Sequence, residues 1–275
     1  MHIQPFFSHG EDAAQILIFA AIFILCWNLE NVFGVTKSYQ KWKHDITNGL
    51  FILPGAILQF ILGFWFVRAL LYENANGFGL VKMLKIKTTV GQVAFVFIFL
   101  DLVYYAYHYF MHKLKPVWRF HAVHHTDTVL NVSTSLREHP VETCIRLTQY
   151  MFFSLLLGPA IWIITLHQFV QIVSKIIIHS NFRIPDHIDK YISMVFITPN
   201  MHHVHHHDME PYTDSNYGDL LSIWDRMFGT FTYLPADKVH FGLDIIPASN
   251  YRLDFLSLLK MPFKYRRIFK KEGGQ

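Results

Sequence analysis

Two copies of the pattern H-x2-H-H stand on opposite sides of a long apolar run, and the fold must bring them together. The first is His121, His124 and His125, preceded by an H-x3-H pair at His108 and His112. The second lies within His202-His203-Val204-His205-His206-His207. Between them runs the apolar stretch from Ile145 to Ile178. Imidazole is a good transition-metal ligand, and these blocks hold more of it than one ion needs. On a helix, positions i, i+3 and i+4 share a face, so each block presents its imidazoles together. The simplest reading is a two-metal site at a membrane surface.

The membrane enters through composition. The 275 residues are 52% hydrophobic and 16% charged, whereas soluble domains carry about 25% charged residues. One polytopic membrane domain covering residues 1–275 is expected. Four apolar stretches stand out: Ala13 to Gly34, Thr47 to Tyr72, Thr89 to Phe110, and Ile145 to Ile178. A bilayer core takes roughly 20 helical residues, so the fourth is too long for one crossing. Gly158-Pro159 interrupts it, as proline does inside a helix. It therefore reads as a helical hairpin that returns to the side it left, which lets both H-x2-H-H blocks share one site.

The expected fold is thus an all-α integral membrane bundle of about four membrane segments, the last a broken hairpin. A histidine-rich helical cap would be built from Lys113 to Thr143 and from Asn181 onward. Thr198-Pro199 reads as a helix start under the last histidines. Lys37, Lys41 and Lys43 in the first loop favour a cytoplasmic cap, while Lys82, Lys85 and Lys87 on the opposite loop count against it unless they belong to a surface helix. The basic C-terminal end, Lys260, Lys264, Arg266, Arg267, Lys270 and Lys271, suits a cytoplasmic face with anionic lipid. Met1 to Gln15 lacks a basic leader and carries Glu11 and Asp12, so no cleaved signal peptide is expected. Cys26 and Cys144 form no C-x2-C, which argues against a cysteine zinc site or a disulfide scaffold. No nucleic-acid-binding module is read.

An all-nitrogen ligand set accepts zinc, iron, copper or nickel. A pair of redox irons can activate O2 for attack on an unactivated C–H bond; zinc, with no redox chemistry, would be an inactive substitute in purified protein. Asp101 lies seven residues before His108 on nearly the same helix face. With Tyr104 and Tyr105 it is a candidate to orient ligand histidines. His139, followed by Pro140, reads as structural and paired with Glu142, with a metal-linked role as the alternative. His167 reads either as lining a lipid channel or as a hydrogen-bonded interior residue. His2, His9, His44, His187 and His240 read as surface residues. Trp224-Asp225-Arg226 reads as a lock on the cap, with Asp225 and Arg226 paired. Both 202/205/206 and 203/206/207 satisfy H-x2-H-H, and spacing does not choose between them.

Several segments, taken in order, resemble the fatty acid hydroxylase superfamily, also called the sterol desaturase family. They are D-x2-Y-x3-H-x3-H at Asp101 to His112, W-R-F-H-x2-H-H at Trp118 to His125, and N-x-S-T-x2-R-x-H-P-x-E at Asn131 to Glu142. H-S-N follows at His179 to Asn181, then T-P-x2-H-x-V-H-H at Thr198 to His206 and S-N-Y-G-x3-S-I-W-D-R-x-F-G-T-F at Ser215 to Phe231. The resemblance covers about half the chain, with the histidine-box region at 101–231. It implies a membrane helical fold capped by a di-iron site, and O2-dependent hydroxylation or desaturation of a fatty acyl chain, sterol or ether lipid. It selects His202, His205 and His206, and adds His179 as a ligand. No catalytic residue beyond the metal ligands is implied. In some relatives a further histidine follows four residues after the position of His179; here that position is Arg183. Electrons are expected from a separate donor protein, since His139-Pro140 is followed by Val-Glu and no cytochrome b5-like segment is seen. A carotenoid hydroxylase is a related option. A non-enzymatic metal-binding membrane protein is the reading from another class, and zinc binding without turnover would support it.

Overall fold

The computed structural model describes residues 9–36, 39–244 and 254–264. Among these the chain is helical, with no β structure beyond two isolated bridges, Phe196–Leu221 and His207–Phe241. The helices are α1 (His9–Phe33), α2 (Lys41–Gly49), α3 (Ile52–Ala75), α4 (Leu80–Met83), α5 (Thr89–Lys113), α6 (Lys115–His125), α7 (Pro140–Leu157), α8 (Ile161–His179), α9 (Asp186–Ile192), α10 (Pro199–His205), α11 (Ile223–Met227) and α12 (Phe255–Lys264). His2, Lys37, Arg266, Arg267, Lys270 and Lys271 lie outside the described residues, as do the side chains of Met1 to Gln15, His9 among them. Cys26 and Cys144 are free thiols.

Three helical stretches are long and apolar enough to cross a membrane: Lys41–Met83, Thr89–Lys113 and Ile161–His179. Ala20–Phe33 is a shorter apolar helix. In the first of these spans only 6% of the most apolar window is buried within the protein. Phe60 and Trp65 stand 80% and 67% exposed there. Side chains of this kind, outside a protein core, need lipid as their solvent. The opposite face of α3 packs on α7, and Leu70, Leu100, Leu157 and Ile163 form a buried core among α3, α5, α7 and α8.

The fourth apolar stretch is the anticipated hairpin, with α7 and α8 as its arms. α7 is less apolar than α8 and carries Glu142 and Arg146 in its first half. Gly158 ends α7 in the left-handed conformation, φ 59°, which glycine adopts without steric penalty. The turn sits against the loop between α3 and α4. A Cβ on Gly158 would come within 2.6 Å of the Phe78 carbonyl oxygen, and Asn74 Nδ2 donates to the Pro159 carbonyl at 3.0 Å. The turn therefore lies at the end of the bundle away from the histidines, and both arms run its length.

At the histidine end, local signals set the chain path. Leu114 alone separates α5 from α6, and Pro116 sits in the first turn of α6, where a proline costs no hydrogen bond. The corner folds α6 back toward the end of α5. Thr198 caps α10, its hydroxyl accepting from Met201 N at 3.2 Å, with Pro199 as the first helical residue. Glu30 ties the end of α1 to this region, accepting from Val132 N and Asn181 N, each at 2.8 Å.

Candidate metal centre

The ends of α5, α6, α8 and α10 place nine buried imidazoles in two adjoining groups. His108, His112, His121, His125 and His205 form one; His124, His179, His202 and His206 form the other. Within each group the candidate ligand atoms lie within 4.8 Å of one another. The groups touch: the rings of His125 and His206 stack with centroids 4.5 Å apart.

The division follows from helix pitch. Residues four apart share a face, while adjacent residues are turned by about 100°. His108 with His112, and His121 with His125, are i,i+4 pairs in the group of five. His202 with His206 is such a pair in the group of four. His124 and His205 stand beside these pairs in sequence and point to the other group. An H-x2-H-H block thus serves both groups, two imidazoles to one and one to the other, rather than presenting all three at a single centre.

Ring orientation shows what these pockets accept. Nδ1 of His108 donates to the Tyr217 carbonyl (2.9 Å), that of His124 to Arg137 (3.1 Å), that of His179 to Lys175 (2.7 Å), and that of His205 to Ser215 (2.7 Å). His121 Nδ1 lies 2.6 Å from Glu142 Oε1, and His112 Nδ1 lies 3.2 Å from Asp214 Oδ1. A carbonyl only accepts, so at His108, His124, His179 and His205 Nδ1 holds the proton and Nε2 presents its lone pair inward; Glu142 and Asp214, when ionised, impose the same on His121 and His112. The Nε2 atoms of His108 and His121 are then 3.0 Å apart, and those of His124 and His179 2.9 Å apart. Nε2 of His112 and of His205 is buried without a partner. Converging lone pairs repel unless a cation lies between them, so the donor set fits metal ions. Burial holds His121, His124, His125, His202, His205 and His206 well below the ordinary histidine pKa, and in each case neighbouring imidazoles act in the same sense. They are neutral at pH 7, the form that binds metal.

The ambiguous run His202 to His207 divides cleanly. His202, His205 and His206 face the two groups. His203 Nε2 instead meets the Ser180 carbonyl at 3.0 Å, and His207 Nε2 meets that of Lys238 at 3.3 Å. His203 lines a cavity of about 590 Å³ on the other side of α10, with Arg183, Asp189 and Phe241; none of the nine histidines borders it. Arg183 lies outside the group of four. α8 has ended at His179, the backbone is extended at Ser180, and Arg183 pairs with Asp186 at 3.1 Å.

Other expectations are corrected. Asp101 holds the cap rather than a histidine: its Oδ2 accepts from Trp224 Nε1 (2.8 Å) and Leu221 N (3.2 Å). Tyr104 packs against Tyr150 and His167, and Tyr105 pairs with Thr230 at 2.9 Å. The metal-linked alternative for His139 does not hold: Nδ1 caps α7 by accepting from Val141 N, and Nε2 reaches the Leu259 carbonyl, both at 3.1 Å. Its expected partner Glu142 serves His121. His44 is not a surface residue, since its Nε2 lies 2.7 Å from the buried Asp127. Arg137 joins that network, 3.2 Å from Asp127. Asp225 and Arg226 do lock the cap, but separately. Asp225 accepts from Tyr217 N and Gly218 N, whereas Arg226 donates to the Ser193 carbonyl. The imidazole-orienting roles of Glu142 and Asp214 were missed. Glu142 stood in the quoted H-P-x-E text, three residues past His139; Asp214, an isolated acid beyond the last histidines, carried no signal.

The profile described as fatty acid hydroxylase matches residues 93–230, half of the chain, and that span contains all nine histidines with Glu142 and Asp214. Alkylglycerol monooxygenase of Danio rerio is 33% identical over 178 residues, covering 64% of this chain and 38% of that protein. Ornithine lipid hydroxylase OlsE of Rhizobium tropici is 28% identical over 176 residues, 62% of this chain and 50% of that protein. Lathosterol oxidase of Mus musculus is 30% identical over 146 residues, 52% of this chain and 46% of that protein. The chain thus spans half or less of the length of these relatives. No solved structure matches it significantly.

Proposed function

The chain belongs to the fatty acid hydroxylase family, a family of di-iron membrane enzymes acting on lipids, and from that premise we propose that it is an O2-dependent lipid hydroxylase. The observation that carries this reading is the pair of adjoining all-imidazole pockets whose Nε2 lone pairs converge. Iron would be held by His108, His112, His121, His125 and His205 in one pocket and by His124, His179, His202 and His206 in the other. Two redox metals so held supply the electron exchange with O2 that oxidation of a C–H bond requires.

The rest is done by this chain's own groups. Glu142 fixes the tautomer of His121 and strengthens its lone pair, and Asp214 does the same for His112. Backbone carbonyls orient His108, His124, His179 and His205. Asp101 and Asp225 hold the 217–230 segment, which carries the Tyr217 carbonyl, against α5. Burial excludes bulk water and keeps the imidazoles neutral.

Hydroxylation is preferred over desaturation because alkylglycerol monooxygenase and the ornithine lipid hydroxylase cover more of the chain than lathosterol oxidase. An ether lipid or another polar lipid is the proposed substrate class. A separate protein supplies electrons, the whole chain acts as one membrane domain, and the cap and C-terminus face the cytoplasm. The test is expression with iron followed by mass spectrometry of extracted lipids. A lipid that gains one oxygen supports the reading. Loss of two hydrogens would make the chain a desaturase, and zinc binding with no lipid change would make it a metal-binding protein without turnover.

A further inference from the structure

The carbonyl that orients His124 belongs to Arg137, and the side chain of Arg137 is gripped from a part of the chain that the family profile does not reach. Arg137 is 0% exposed. Its Nε donates to Asn48 Oδ1 at 2.6 Å, its Nη1 donates to Thr126 Oγ1 at 3.1 Å, and its Nη2 lies 3.2 Å from Asp127 Oδ1. Asn48 and Asp127 are as deeply buried as Arg137. Asn48 lies on α2, well before residues 93–230.

The same helix supplies a second hold. His44 sits between two acids, with Nε2 2.7 Å from Asp127 Oδ1 and Nδ1 3.0 Å from Asp45 Oδ1. Asp127 also accepts from Thr134 Oγ1 at 2.7 Å and faces the Arg137 guanidinium. Asp45 accepts from Trp27 Nε1 at 2.6 Å, and from Asn131 Nδ2 and Ser133 Oγ at 2.8 Å each. Acids surrounded by donors in this way are ionised. An ionised carboxylate only accepts, so both ring nitrogens of His44 carry protons and His44 is a cation. Charge therefore alternates along Asp45, His44, Asp127 and Arg137. Such a buried row holds only when complete, because removing one member leaves its neighbour uncompensated.

The row ends at the metal centre. The Arg137 carbonyl accepts from His124 Nδ1 at 3.1 Å, and His124 Nε2 then faces His179 Nε2 at 2.9 Å. The next residue, Glu138, binds Lys175 Nζ at 3.0 Å, and the Lys175 carbonyl orients His179 at 2.7 Å. Both carbonyl-backed imidazoles of the group of four thus depend on where residues 137 and 138 lie. The groups behind the group of five are Glu142, Asp214 and the carbonyls of Tyr217 and Ser215. Among the described residues none of these bonds to α2.

We infer that His44 is a positioning residue of the metal centre. As a cation between Asp45 and Asp127 it fixes Arg137, and through the Arg137 carbonyl it fixes the ring of His124 for the ion of the group of four. The inference rests on the metal-dependent hydroxylase reading above and deepens it.

The test is chelator titration of the full-length protein in nanodiscs, loaded with cobalt, whose visible ligand-field bands report the geometry at each ion. The bands that vanish in His202→Ala identify the group of four. His44→Gln keeps one donor but removes the charge. It should weaken the ion of the group of four about tenfold, the lower end of the cost of losing an outer partner, and shift that ion's bands. The ion of the group of five should keep its affinity and its bands. The double variant His44→Gln/Asp45→Asn removes one charge of each sign and leaves Asp127 to Arg137, so it should recover affinity to within about threefold of the parent. His44→Lys keeps the charge but reaches only one acid; it should show the same selective loss at less than about tenfold, and it decides the question alone should His44→Gln not fold. Unchanged affinity in the folded single variants, equal weakening of both ions as a merely loosened fold would give, or no recovery in the double variant overturns the inference. Those outcomes leave the hydroxylase reading standing. A folded parent that binds no metal would overturn that reading and this inference together.

Discussion

The two histidine groups differ in what stands behind them. In the group of five, two imidazoles are backed by carboxylates, Glu142 on His121 and Asp214 on His112, and two by carbonyls. Only His125 has an Nδ1 without a partner. In the group of four, His124 and His179 are backed by carbonyls, while Nδ1 of His202 and of His206 has no partner. A carboxylate behind an imidazole raises its basicity and fixes its ring. The first pocket should therefore hold a metal more tightly and more rigidly. The second offers four candidate ligands to the first one's five.

The largest effect should come from breaking the smaller group. His202→Ala should abolish lipid oxidation and drop iron from two ions per chain to one, because the group of five remains intact. His203→Ala, which changes a side chain on the cavity face of α10, should keep both ions and its activity. Metal analysis and turnover on the two folded variants decide this. Equal loss in both would break the division into two pockets. One ion in the fully loaded parent would break it more directly.

Removing a backing carboxylate tests the contrast in rigidity. Glu142→Gln should weaken metal at the group of five about ten- to a hundredfold, the usual cost of losing an outer hydrogen-bonding partner. The group of four should hold its ion as before. Asp214→Asn should act in the same direction but less, because the Asp214 side chain is 25% exposed and also shared with Lys113. Competition titration against a chelator of known affinity measures both.

Chelation kinetics sharpen the comparison in the parent protein. Removal should be biphasic, the ion of the group of four leaving several-fold faster. His202→Ala should lose the fast phase and Glu142→Gln should speed the slow one. A single phase for both ions would mean that the backing groups do not distinguish the pockets.

The smallest expected effect is none. Arg183→His places an imidazole where some relatives carry one, and four residues after His179 it would complete an i,i+4 pair on a continuous helix. Here α8 has already ended. Iron content and chelation rates should therefore match the parent. A slower fast phase would show that the segment after Ser180 can rewind into helix.

Much of this arrangement was legible in the sequence because it depends on local periodicity. Long apolar runs dictate helices that need lipid around them. Gly158-Pro159 dictates a turn, and the return it makes is what lets histidines before and after the hairpin meet. Spacings of three and four dictate that each block gathers on one side of a helix. Tertiary structure decided the rest. Whether His124 joins His121 or faces the other group depends on where α8 and α10 lie, and no spacing within α6 contains that. Asp101 looked like a partner for His108 along one helix face, but a carboxylate takes whichever donor the fold delivers, and the fold delivers Trp224. The acceptors behind His108 and His112 come from residues about a hundred positions away. Helix pitch is a property of neighbouring residues and is written locally. Hydrogen-bond partners across the bundle are set by the path of the whole chain, and for these imidazoles that path determines which nitrogen is left for the metal.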